Sequence, residues 1–229
     1  MTVDGAIRKI GDIRIIPVVR AASFEEARRA VDAIFAGGIP IIEITTTVPN
    51  APAVIREVVR KYGSKLLTGA GTVATAASAE ACLDAGAEFL VSPGLSLPVM
   101  RIAQARGKLA IPGALTPTEA MSAQCEGAKL VKIFPCGNVG GPSYIKALRA
   151  PFPDLALIPT GGVNLSNAAD YMAAGSFALG VGADLVDTAA LRQGNSQKIT
   201  EMAAALAEVV RMARASEHIN AVPPSLPAH

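Results

Sequence analysis

Of the eight lysines in this chain, Lys132 alone stands among β-branched and aliphatic neighbours, in the run Leu-Val-Lys-Ile-Phe at 130–134 that ends at Pro135. The other seven fall in helical stretches, loops or strand starts, where a solvated charge is expected. A lysine inside a strand of a closed sheet points into the lumen or into the covering helices, and on either side its ammonium loses water. Desolvation favours the neutral amine, which is a nucleophile toward carbonyl carbon. The plainer alternative is a lysine paired with a buried carboxylate. Glu43, in Pro-Ile-Ile-Glu-Ile-Thr at 40–45, is the only acidic residue interior to a predicted strand. Burying a lone carboxylate is costly unless something pairs it or uses it, and burial moves its titration toward the range useful for proton transfer. As a metal ligand Glu43 has no companions, because no histidine and no second strand carboxylate accompany it. Metal-free, lysine-based carbonyl chemistry is favoured, with no cofactor expected.

Other chemistry is excluded by residue counts. Two histidines are present, His218 and His229, both close to the C-terminal Val-Pro-Pro-Ser-Leu-Pro-Ala-His, so histidine triads and histidine metal sites are not expected in the body of the chain. The three cysteines, Cys82, Cys125 and Cys136, are odd in number and widely spaced, which suits core packing rather than disulfides or a zinc cluster. A net charge of +2, with the basic residues dispersed, leaves no nucleic-acid footprint. Mean hydropathy is +0.39 and aromatic content 4%, so the core must be built from Ala, Val, Ile and Leu. No apolar stretch reaches the ~18 uninterrupted residues of a membrane helix. The first twelve residues scatter Asp4, Arg8, Lys9 and Asp12 where a signal peptide needs an apolar core, so the expected location is cytoplasmic.

Lys132 and Glu43 are positioned by a repeating unit. Short aliphatic runs are predicted as strands at 13–19, 40–45, 65–68, 89–92, 109–111, 130–134, 155–159 and 177–180. Helical spacing fills the intervals, beginning with Ser23 as an N-cap, Glu26 as its capping-box partner and Gly37-Gly38 as the stop. Strict alternation with nearly continuous apolar strands implies a parallel sheet covered on both faces. Eight units within about 215 residues fit a single-domain α/β fold, the (β/α)8 barrel, spanning 1–216 with a Pro-rich, frayed tail at 217–229. Chemistry in that fold sits at the C-terminal strand ends.

Two of those ends are glycine-rich: Thr160-Gly161-Gly162-Val163 after the seventh strand and Gly180-Val181-Gly182-Ala183 after the eighth. In barrels these loops commonly offer backbone N–H groups to a phosphate, although a plain tight turn would use the same residues. Neither loop carries Lys or Arg, so a phosphate is expected to be held mainly by the main chain.

The motifs Gly-Ala-Gly-Thr (69–72), Ser-Pro-Gly (92–94), Lys-Ile-Phe-Pro (132–135), Gly-Gly-Pro-Ser-Tyr-Ile-Lys-Ala-Leu (140–148) and Pro-Thr-Gly-Gly-Val (159–163), in that order, resemble the 2-keto-3-deoxy-6-phosphogluconate/4-hydroxy-2-oxoglutarate aldolases. The resemblance runs from about Pro17 to the last helix. It implies a class I aldolase on a (β/α)8 barrel, usually trimeric, that splits a 2-keto-4-hydroxy acid into pyruvate and an aldehyde. It implies Lys132 as the Schiff-base lysine, Glu43 as the acid/base and Thr72 as a holder of the pyruvate carboxylate, with Arg20 and backbone amides near Gly94 beside it. Gly161, Gly162, Gly182 and Ala183 would hold the phosphate. Thr47 stands where many members carry a substrate-binding arginine, and Ala183 where a serine assists phosphate binding; Arg20 matches an arginine of other branches, including the phosphogalactonate aldolases, and could supply the missing charge. The expected partner is a small keto acid phosphate, with 2-keto-3-deoxy-6-phosphogluconate as substrate and the phosphogalactonate isomer as the alternative. Two rivals are a different phosphate-binding barrel, such as an isomerase or a thiamine-phosphate-synthase-like enzyme, and a non-catalytic sugar-phosphate-binding barrel.

Overall fold

The computed structural model describes residues 1–220. In chain order the elements are α1 (Val3–Ile13), β1 (Ile15–Val19), α2 (Phe24–Ala36), β2 (Ile41–Thr45), α3 (Ala51–Tyr62), β3 (Leu67–Gly71), α4 (Ala76–Asp84), β4 (Phe89–Val91), α5 (Leu97–Ala105), β5 (Leu109–Ile111) and β6 (Gly113–Ala114). They continue with α6 (Pro117–Cys125), β7 (Leu130–Ile133), α7 (Pro142–Arg149), β8 (Ala156–Pro159), α8 (Ala168–Ala173), β9 (Leu179–Val181), α9 (Thr188–Arg192) and α10 (Gln197–Asn220).

All strand pairings are parallel. One sheet has the order β5-β4-β3-β2-β1-β9 and the other β6-β7-β8. They meet at both edges. β5 and β6 are halves of one strand interrupted at Pro112, whose carbonyl still accepts the Lys132 N–H (2.9 Å). At the other seam the Phe177 N–H donates to the Leu157 carbonyl (2.9 Å), and Thr160 bridges Gly180. Eight strands thus close into the expected (β/α)8 barrel.

Alternation along each strand divides the core into two layers. Ile16, Ile41, Leu67, Phe89, Leu109, Leu130 and Ile158 form one cluster, inside the barrel. Their neighbours Ile15, Ile42, Leu90, Val131, Leu157 and Leu179 form the other, beneath the helices. Side chains two apart share a face, so Glu43 follows Ile41 and Lys132 follows Leu130 into the lumen. Five of the helices, α1, α2, α4, α6 and α9, start from side-chain caps. Ser23 accepts the Glu26 N–H (3.2 Å), while the Glu26 carboxylate reaches the Ala22 N–H (3.2 Å) rather than closing the box on Ser23. Thr116 and Glu119 form a full capping box at α6.

The chain departs from the sequence expectations at four places. The N-terminal segment forms α1, so Ile13 ends a helix instead of opening a strand, and Arg14 caps that helix in the left-handed conformation (φ 58°). The third strand runs Leu67–Gly71 rather than 65–68, because Gly63–Lys65 make a 3-10 turn and the strand continues through weakly β-forming Gly and Ala. The last strand starts at Leu179, two residues later than expected from 177–180. α10 continues past 215 to Asn220, which takes in the start of the expected tail; 221–229 lie outside the described residues. No described helix is long and apolar enough to cross a membrane.

Candidate active site

Register brings the two lumen charges together. Glu43 pairs with Gly69 and Val18 at the middle of β2, and Lys132 pairs with Gly113 and Ile158 on β7. Across the lumen Lys132 Nζ stands 3.9 Å from Glu43 Oε1, and the two residues are only 6% and 2% exposed. That distance is an ion pair but not a hydrogen bond. Oε1 has no hydrogen-bond partner. Burial pushes the Glu43 carboxyl above its ordinary range, and the positive charges of Lys132 and then Arg20 pull partly against it. The two sequence readings of Lys132, nucleophile and paired cation, are therefore compatible in one geometry.

Gly71 makes room for this pair. A Cβ on Gly71 would overlap the Glu43 carboxyl, so only glycine at the end of β3 leaves Glu43 where it is. The chain then turns through Thr72, which holds φ at 56°. A β-branched residue in that region is an outlier, sustained only where its surroundings impose it. Here Thr46 imposes it from both sides, its N–H donating to the Gly71 carbonyl and its hydroxyl to the Thr72 carbonyl (both 2.8 Å).

Above the pair opens a cavity of about 900 Å³ at the C-terminal strand ends. Its walls include Arg20, Thr47, Thr72, Lys132, Gly161, Gly162, Gly182 and Ala183, so eight of the ten residues singled out from sequence meet there. Glu43 lies beside Lys132 without lining the cavity. Gly94 also stays outside the lining: it is exposed, its carbonyl accepts from Ser92 Oγ (2.6 Å), and Pro93 takes its place at the wall. Gly161 and Gly162 both hold positive φ (86° and 81°), a conformation that side chains resist. Their carbonyls are tied down by the Gly137 N–H (2.8 Å) and the Asn167 side-chain amide (2.8 Å).

Sequence reasoning missed several residues of the wall, among them Phe134, Thr160, Asp184 and Arg192. Phe134 and Thr160 lie within quoted motifs but were not singled out; Lys132 Nζ sits 5.2 Å from the centre of the Phe134 ring. Asp184 and Arg192 lie outside every motif. Neither glycine loop carries a cation, but Arg192 on α9 also lines the cavity. Among the described residues there is no group of three or more His, Cys, Asp or Glu side chains placed to share a metal ion.

The family model for the KDPG and KHG aldolases matches residues 6–202. The chain belongs to that aldolase family. As a member it is a carbon–carbon lyase of the metal-independent, class I kind. Among curated relatives it is 40% identical over 172 residues, 75% of this chain and 81% of the other, to a probable 2-dehydro-3-deoxy-6-phosphogalactonate aldolase of Rhizobium meliloti. It is 36% identical over 162 residues, 71% of this chain and 73% of the other, to a 2-dehydro-3-deoxy-phosphogluconate aldolase of Pseudomonas aeruginosa. Among solved structures it resembles the KDPG aldolase of Legionella pneumophila, in which pyruvate was captured as a covalent carbinolamine; the TM-score is 0.81 at 30% identity, covering 88% of this chain and 97% of that one.

Proposed function

We propose that this aldolase cleaves 2-keto-3-deoxy-6-phosphogluconate, or its C4 epimer 2-keto-3-deoxy-6-phosphogalactonate, to pyruvate and glyceraldehyde 3-phosphate through an imine on Lys132. The observation that carries the reading is the Lys132–Glu43 pair, 3.9 Å apart and buried at the base of the large cavity. The Lys132 amine adds to the C2 ketone, and loss of water from the carbinolamine leaves an iminium. Glu43, directly or through a water, takes the C4 hydroxyl proton as the C3–C4 bond breaks; the bonding electrons pass to C3 and into the iminium, giving an enamine. The aldehyde departs, C3 is protonated, and water hydrolyses the imine to free pyruvate and the amine.

Thr72 and Arg20 orient the substrate carboxylate, and the loops at Gly161-Gly162 and Gly182-Ala183 receive the phosphate. The same reading keeps 1–216 as the catalytic unit and carries the expected homotrimer and cytoplasmic location with it. The galactonate epimer is the second reading, supported by the activity named for the Rhizobium meliloti relative. Borohydride added with pyruvate should fix mass on the peptide that contains Lys132. Mass on Lys129 or Lys146 instead, or none at all, overturns the proposal, and relative kcat/KM on the two epimers decides between the substrates.

A further inference from the structure

On the aldolase reading, a phosphate received by the glycine loops calls for positive charge that these loops do not supply. Gly161, Gly162, Gly182 and Ala183 offer neutral N–H donors, and Asp184, next along the same turn, adds a negative charge to that wall. A phosphate carries nearly two negative charges at neutral pH, so beside Asp184 it calls for a cation. Among the described residues lining the cavity, the cations are Lys132, Arg20 and Arg192. Lys132 is committed to the ketone. Arg20 is assigned to the substrate carboxylate in the proposed reaction.

Arg192 ends α9 and lines the cavity, as do Val186 and Thr188. Its side chain is 61% exposed, and its Nε stands 3.7 Å from Glu26 Oε1, beyond hydrogen-bond length. Glu26 itself is fixed: its other oxygen accepts the Ala22 N–H (3.2 Å), and its side chain is 12% exposed. An anchored carboxylate therefore holds an exposed guanidinium beside the cavity through a weak, solvent-screened contact. Guanidinium and phosphate match as bidentate partners, whereas a single carboxylate oxygen at this distance offers far less.

We infer that Arg192 is the residue that makes this enzyme prefer phosphorylated keto acids, leaving Glu26 to clasp the substrate phosphate against the Gly161-Gly162 and Gly182-Ala183 loops. The inference rests on the aldolase reading above and adds to it a charged clamp from α9.

The test compares 2-keto-3-deoxy-6-phosphogluconate with unphosphorylated 4-hydroxy-2-oxoglutarate in wild type, Arg192→Ala and Arg192→Lys. Loss of one charge-assisted contact should lower the ratio of the two kcat/KM values ~10- to 150-fold in Arg192→Ala, chiefly through KM for the phosphorylated substrate. Arg192→Lys should recover part of the ratio, since a point charge replaces the fork. A ratio equal to wild type in Arg192→Ala, or equal losses on both substrates, overturns the role of Arg192. Pyruvate trapping separates the two levels: if wild-type enzyme fails to trap pyruvate at Lys132, the aldolase reading itself falls. Normal trapping with an unchanged ratio removes only Arg192.

Discussion

Glu43 Oε1 is buried, 3.9 Å from an amine and without a hydrogen-bond partner, which is an expensive arrangement unless the oxygen is used. Glu43→Gln keeps the shape of the side chain and removes its capacity to take a proton. It should fold, still form the pyruvate imine, and lose ~10²-fold or more in kcat, as for a positioned general base. Near-normal turnover would route the proton elsewhere. The pH dependence has a definite sign. A base works only when ionised, so activity falls as pH drops through the titration of Glu43, and burial has moved that titration above the ordinary value of 4.5. The acid limb of the wild-type kcat profile should therefore lie above that value and disappear from the residual activity of Glu43→Gln. Both lumen charges were legible in sequence because an ionisable residue within an aliphatic strand is too costly to bury without a partner or a use. Arg192 was not: an exposed arginine at the end of a short helix is ordinary surface, and only tertiary packing brings it to the cavity.

At the scale of the element, β3 separates packing from chemistry within one strand. Gly69 and Gly71 both face the lumen, where a Cβ on Gly69 would overlap the Phe89 ring and one on Gly71 would overlap the Glu43 carboxyl. Gly69→Ala and Gly71→Ala should each cost ~1–3 kcal/mol of stability through overpacking. Gly71→Ala alone should also lower kcat strongly, because the shifted group is the proposed base. Denaturant midpoints and kcat, measured side by side, check this; equal kcat in the two variants would mean that Glu43 tolerates displacement. The same strand explains a limit of the sequence reading. Aliphatic runs such as Ile41–Thr45 announce strands, but Leu-Thr-Gly-Ala-Gly does not, since its lumen positions were emptied of side chains to admit neighbours from β2 and β4. The strand therefore begins and ends later than its aliphatic residues suggest, at Leu67–Gly71 rather than 65–68, while keeping its expected place in the order.

A barrel of eight parallel strands has two open ends, and the molecule treats them oppositely. At the C-terminal end the lumen carries Glu43, Lys132 and the cavity; at the N-terminal end it is apolar, and α1 joins that core through Ala6 and Ile10, which are 1% and 0% exposed. Strand alternation and turn chemistry made the barrel legible from sequence, but nothing local demanded this helix. Its need arises only once closure leaves Ile16, Ile41, Leu67 and Phe89 facing an uncovered opening. Ile10→Ala tests whether the plug is a structural device separate from catalysis. Removing a fully buried isoleucine should cost ~2–5 kcal/mol, from lost transfer energy and the cavity left behind. The cavity lies at the C-terminal strand ends and Ile10 is not among its lining residues, so kcat at temperatures well below the unfolding transition should stay close to wild type. The denaturant midpoint should fall while kcat/KM holds. A loss of less than ~1 kcal/mol would show that α1 contributes little to closing the barrel, and a parallel fall in kcat would show that the apolar plug and the catalytic end are mechanically coupled through the strands.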